Sequence, residues 1–234
     1  MTSLPAGSVL SLRSVALAGR DGTRAGTAFS LDLGRGDVAI VQVEDAFDAV
    51  SLVGLCLGLS DPANGHARFL GVDWTTRTPV ERLRRRRRIG AVLQAETWPT
   101  HLSVDESVLL ARTFRSGQPR AEVLAEATGL ARMFGLPGLP VGPRETIRRA
   151  TLLRAACVRG FLGEPDMVVI QEQAVEEVSD LALPMAQAIA AAAGRGAAVL
   201  WIIANLAARA ARLVQTDRVL RLDGRGLMPA RIRP

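Results

Sequence analysis

Three uninterrupted apolar runs constrain this chain more than any other feature: residues 38–41 (VAIV), 167–170 (MVVI) and 197–203 (AAVLWII). Short runs of this kind read as buried strands, the first of them set off by a turn at Gly34 and Gly36. Weaker β-like runs lie at 9–12, 28–33, 67–70, 89–93 and 218–222. Segments of helical spacing stand between them. Residues 45–59 carry apolar Phe47, Val50, Leu52, Val53, Leu55, Cys56 and Leu57, and 79–88 has a proline in its first turn. Residues 183–193 and 205–214 are also helical in pattern, and 103–163 is helical throughout. That stretch opens on Ser103 and Glu106, which form a capping box, and runs through an amphipathic 120–134, a Pro-rich linker at 135–143 and a helix at 144–162. Strands and helices alternating around an all-helical insertion predict an α/β core with a mainly parallel sheet and a helical subdomain.

Composition then narrows the chemistry. The 234 residues are 48% apolar and 22% charged, which suits one folded domain carrying a subdomain and excludes compositional disorder. Every one of the 29 basic residues is Arg, so no lysine mechanism is open to this chain. Tyr is absent, and the two histidines are His66 and His101. Cys56 and Cys157 are too few and too far apart for a zinc cluster or a disulfide framework, which points to a reducing compartment. The first residues lack the pattern of a signal peptide, and the apolar stretch 181–208 is interrupted by Gly194 and Gly196, so a soluble cytoplasmic protein is expected. Nucleic-acid binding is not expected. The surplus is six charges, the only dense basic run is Arg84–Arg88, and aromatics for base stacking are 4% of the chain.

In this order the segments resemble the ATP-binding cassette subunit of an ABC transporter over nearly the whole chain. Residues 36–41 look like the strand entering the phosphate loop, and Gly58, Pro62 and Gly65 resemble the turn after the following helix. Residues 69–74 resemble the next strand and loop, and 89–94, ending in Gln94, the approach to the Q-loop. Leu102, Ser103, Glu106 and Val108 resemble the entry to the helical subdomain, 165–172 the second nucleotide strand, and 217–220 the terminal strand. The wording around Trp74, Phe134–Pro137 and Trp201 leans toward Mla-like lipid-transport ATPases. The resemblance implies a P-loop NTPase-like (RecA-like) core with N-terminal antiparallel strands. Residues 1–95 would form the first part of the core with the phosphate loop, 96–163 the α-helical subdomain, and 164–234 the C-terminal half of the core.

Carried over residue by residue, the resemblance implies unusual site chemistry. The glycine positions of the phosphate loop fall on Val43, Ala46 and Asp48, the lysine position on Ala49, and the magnesium-holding hydroxyl on Val50. Glu44, Asp45 and Asp48 put carboxylates where a triphosphate would lie, and one like-charge pair at ~4 Å costs about 4 kcal/mol at an effective dielectric near 20. The same acids also suit the N-terminus of a helix as caps. Gln171 stands at the metal aspartate and Gln173 at the next proline; Glu172 keeps the general-base position as a relic. The signature falls on Ile147, Arg148, Arg149, Ala150 and Thr151, the switch histidine near Ala204, and the adenine-stacking aromatic near residues 17–19. Together these predict a pseudo-ATPase, not an enzyme, without nucleotide cofactor or metal.

Two assemblies are then expected to be open to it, both on the cytoplasmic face of the inner membrane beneath a permease, possible companions being MCE-type lipid-transport proteins. In a homodimer acting as a fixed scaffold, Arg148 and Arg149 would meet Glu44, Asp45 and Asp48 of the second copy. In a heterodimer with an active cassette, the same arginines would hold the partner's triphosphate. A soluble regulator without a permease is the remaining alternative. Arg82 and Arg84–Arg88 read either as a solvated helix face or as a contact for anionic headgroups or a permease loop.

Overall fold

The computed structural model describes residues 7–17, 26–93, 98–116, 118–171, 180–204, 213–216 and 218–230. Among these, β1 (Ser8–Ala16), β2 (Phe29–Gly34), β3 (Val38–Val43), α1 (Ala46–Cys56), β4 (Asn64–Phe69), β5 (Val72–Asp73), α2 (Pro79–Arg86) and β6 (Ile89–Val92) form the first half. Then come α3 (Val104–Ser116), α4 (Arg120–Met133), α5 (Arg149–Phe161), β7 (Met167–Gln171), α6 (Ala182–Gly194), β8 (Ala198–Ile203), β9 (Arg218–Asp223) and β10 (Gly226–Pro229). An antiparallel sheet runs β2-β1-β4-β5, and a larger sheet runs β10-β9-β3-β8-β7-β6. In the larger sheet every pairing is parallel except that of β10 with β9.

The apolar runs explain why this sheet has two covered faces. Successive side chains of a strand point to opposite faces, so a strand buried on both must be apolar without interruption. Ile40, Val168, Ile170, Val199 and Trp201 join one core cluster with residues of α3, α4, α5 and α6. Ala39, Val41, Val169, Leu200 and Ile202 join the other, with α1 and with Leu10, Leu12, Leu31 and Phe69 of the antiparallel sheet. Arg218 ties the sheets at their edge: its Nη1 donates to Asp37 Oδ2 and its Nη2 to the Asp32 carbonyl, both at 2.6 Å.

The turns follow the residues expected of them. Gly58 has φ +60°, and a Cβ there would stand 2.4 Å from the Trp74 ring, which itself stacks on Phe69. Gly65 has φ +79°, and its Cβ would fall 2.2 Å from the Arg13 carbonyl oxygen. Such positions admit only glycine. The capping box at Ser103 and Glu106 is formed, with the Ser103 amide and hydroxyl each 2.9 Å from the Glu106 carboxylate.

Three boundaries differ from the sequence reading. The helix expected at 45–59 ends at Cys56, because the chain turns at Gly58 to pass under Trp74. The helix expected at 144–162 is broken: Arg144–Thr146 is a single 3-10 turn, Ile147 and Arg148 are extended, and α5 starts at Arg149. Ile147 packs on the core there, which pulls the chain out of helical geometry. β10 has no counterpart in the sequence reading: its four residues, Gly226–Pro229, carry no strand pattern of their own and are held by pairing with β9. The helix expected at 205–214 falls mostly outside the described residues.

Candidate functional site

The carboxyl ends of β3, β8 and β7 meet the start of α1 at one end of the larger sheet, where ligands bind in open α/β folds. Two residues, Glu44 and Asp45, make the joint between β3 and α1. Asp45 is extended, and its Oδ1 accepts from the backbone N–H of Phe47 at 2.8 Å and of Asp48 at 3.1 Å. Of the two readings of this carboxylate, helix cap and anion-repelling charge, the first is what the geometry shows for Asp45. Glu44 is exposed and accepts from Arg221 Nη2 at 3.0 Å and from Gln42 Nε2 at 3.3 Å. Gln42 Nε2 also lies 3.3 Å from the carbonyl of Ala204. These contacts tie the ends of β3, β8 and β9. An ion pair this exposed is worth about 0–1 kcal/mol, so it orients the joint more than it stabilises the fold.

The other residues carried over from the resemblance fall as follows. Val43 is buried at the end of β3, Ala46 is exposed, Asp48 is a half-buried acid in the first turn of α1, and Ala49 is buried. Val50 is 59% exposed on the outer face of the helix. Gln171 is the last residue of β7 and is paired in register with Ile202. Gln94, Glu172, Gln173 and Asp217 lie outside the described residues.

Ile147, Arg148, Arg149, Ala150 and Thr151 occupy a separate place, at the N-terminus of α5. Arg148 is the N-cap, extended, with no side-chain cap bond, and the first turn holds no acid. Arg148, Arg149 and Ala150 are exposed, while Thr151 bonds through its N–H to the Arg148 carbonyl at 2.9 Å. A helix end whose N-cap side chain makes no cap bond, with two guanidinium groups beside it, favours an anion. The residues of the expected homodimer contact are therefore on different elements, but Asp45 and Glu44 already serve intrachain bonds.

Much of the basic run, Arg87 included, is also engaged within the chain. Arg82 pairs with Asp61 at 2.9 Å, Arg86 donates to the Gly58 carbonyl at 3.0 Å, and Arg88 holds Asp166 through two bonds of 2.7 and 2.8 Å. The Glu44–Arg221 contact had no local sign in the sequence, since its partners are 177 positions apart. Burial pushes the thiols of Cys56 and Cys157 up to about 12, so neither is a nucleophile at neutral pH. Among the described residues no group of three or more His, Cys, Asp or Glu could hold a metal, and no helix is long and apolar enough to cross a membrane.

No family model matches the chain. MK0182 of Methanopyrus kandleri, a putative ABC transporter ATP-binding protein, is 26% identical over 160 residues. The match covers 65% of this chain but 55% of that protein, so the chain spans just over half of that relative's length. Among solved structures, the dimeric ABC transporter cassette MJ0796 superposes with a TM-score of 0.77 at 17% identity, covering 92% of this chain and 95% of that one. The same cassette in a post-hydrolysis state, bound to ADP and Pi, also gives 0.77, at 16% identity and with the same coverage. CbiO1 of Clostridium perfringens, part of the ABC transporter complex CbiONQ, gives 0.74 at 15% identity, covering 95% of this chain and 87% of that one.

These matches correct the expectation that the chain is not an enzyme. The frameworks it superposes on are ATP-binding cassettes, one of them caught after hydrolysis with its products in place. The expectation rested on which residues stand at single positions, whereas these matches compare the backbone framework as a whole. With the two sheets, the β3-to-α1 joint and the α5 terminus in place, the chain has the fold of the ABC transporter ATP-binding cassette, as its sequence implied.

Proposed function

We propose that this chain is a cassette subunit of a membrane transporter and contributes one half of a cassette pair that hydrolyses ATP. The observation that carries the reading is the N-terminus of α5, where Arg148 and Arg149 stand at a helix end whose N-cap side chain makes no cap bond and whose first turn holds no acid. At α1, by contrast, the Asp45 carboxylate already takes two of the amides. The surface this chain offers to the nucleotide's phosphates is therefore the start of α5, turned toward nucleotide held by a second cassette that supplies the lysine this chain lacks. Guanidinium groups suit phosphate oxygens through paired hydrogen bonds. This favours a heterodimer over a pair of identical chains. Residues 96–163 act as the helical subdomain and the two sheets as the core, docked on a permease at the cytoplasmic face of the membrane.

Lipid cargo and MCE-type companions rest on the sequence wording alone. Trp74, Phe134 and Trp201, which carry that wording, are fully buried packing groups. Purification of the tagged chain from membranes tests the assembly. A second cassette and a permease are expected to co-purify, and the complex is expected to hydrolyse ATP. Reversal of both arginines (R148E and R149E) should raise the KM for ATP about tenfold or more, as loss of charge-assisted phosphate bonds requires. Recovery of the chain without a second cassette, or turnover indifferent to the reversal, sinks the heterodimer.

A further inference from the structure

A second basic site lies away from both helix termini. Beside β6, the terminal strand of the larger sheet, a cavity of about 410 Å³ is lined by four arginines: Arg87 and Arg88 from the end of the basic run, Arg112 of α3 and Arg159 of α5. Its floor is backbone brought in closely. A Cβ at Gly90 would stand 1.8 Å from the Gly160 carbonyl oxygen, so α5 sits directly on β6.

Three of these arginines, Arg87, Arg88 and Arg112, also have contacts within the chain. Asp166 holds Arg88 through its two bonds of 2.7 and 2.8 Å. Glu126 accepts the N–H of Gly163, another lining residue, at 2.8 Å. Neither neutralises Arg159. That guanidinium is half-buried, 4.3 Å from the centre of the Trp98 ring, and makes no hydrogen bond or ion pair to any described residue. Its pKa is lowered by burial, the mark of a cation taken out of water. Contact with a ring face offsets only part of that cost.

We propose that this cavity is a binding site for a small phosphate-bearing anion. Several guanidinium groups around one hollow match a dianion better than a single carboxylate, and Arg presents the paired donors that phosphate oxygens accept. The volume lies in the usual range of small-molecule sites, roughly 300–1,000 Å³. Arg159 closes on the phosphate from above Trp98. The site stands independently of the cassette pairing proposed above.

Trp98 supplies the readout, as one of three tryptophans in the chain. Titration of the purified chain with inorganic phosphate or pyrophosphate, at ionic strength held constant with chloride, is expected to change tryptophan fluorescence saturably and to raise Tm. Arg159→Gln and, separately, Arg112→Gln should weaken the apparent affinity by about tenfold to a hundredfold. Trp98→Phe should remove the fluorescence change while the Tm shift remains. Arg225→Gln, on the exposed turn between β9 and β10, should leave both responses intact. The proposal is overturned by a response that does not saturate, or by a fluorescence change that survives both Arg159→Gln and Arg112→Gln. Binding of an acidic peptide but of neither phosphate would overturn it equally, by assigning the site to a protein partner.

Discussion

Asp73 concentrates several demands on one buried carboxylate. Its Oδ1 accepts from the Thr75 amide at 3.0 Å and hydroxyl at 2.8 Å, capping a 3-10 turn, and its Oδ2 lies 2.7 Å from His66 Nδ1. Burial opposes its ionisation, but the bonds from Thr75 and His66 outweigh that and hold its pKa below the ordinary carboxylate value. A lowered folded pKa means the ionised form stabilises the protein fully above the unfolded value of about 3.9, and that this is lost as pH falls through the folded value. Asp73→Asn should therefore destabilise by about 1–2 kcal/mol at neutral pH, with the gap to the parent closing as pH falls below the ordinary carboxylate range, read from urea midpoints. Single-residue roles were unevenly legible. An acid ahead of an apolar periodic run announces a cap, and Asp45 is one. Nothing in the neighbourhood of Arg159 or Trp98 in the chain announces that they stack, because they stand 61 positions apart with no shared spacing.

At the scale of elements, glycines report how closely two pieces of backbone approach. Gly90 and Gly160 let α5 lie against β6 with no side chain between them. Gly129, exposed in α4, has nothing within 4 Å of where a Cβ would stand. The same change should therefore have opposite signs: Gly90→Ala destabilises by about 1–3 kcal/mol through overpacking, and Gly129→Ala stabilises by about 0.5–1 kcal/mol by restricting the unfolded chain. Equilibrium denaturation of the two variants checks both. Strands β3, β7 and β8 were readable because a run apolar at every position has few other places to sit. The break before α5 was not, since residues 144–162 keep a helical pattern and only the anchoring of Ile147 in the core interrupts it.

For the whole molecule, the larger sheet acts as a partition. Cys56 belongs to the cluster on the α1 face and Cys157 to the cluster beneath α3 to α6. Both are fully buried, with thiols pushed up to about 12. A thiol reagent at pH 8 should label neither in the native protein and both in denaturant; labelling of one alone would show that its side of the sheet opens independently.

The amino-acid sequence by itself determined the layered α/β plan and the order of its pieces, because hydrophobic period and turn residues are local properties that a chain carries wherever it folds. It also settled that none of these 234 residues can supply a lysine-dependent step. Tertiary structure alone decided what the charges do. Asp45 became a cap, Glu44 a partner of Arg221, and Arg88 a partner of Asp166, while Arg159 was left above Trp98 with an arginine-lined hollow beside it. Charge acts through space, and only folding sets which groups lie within its reach.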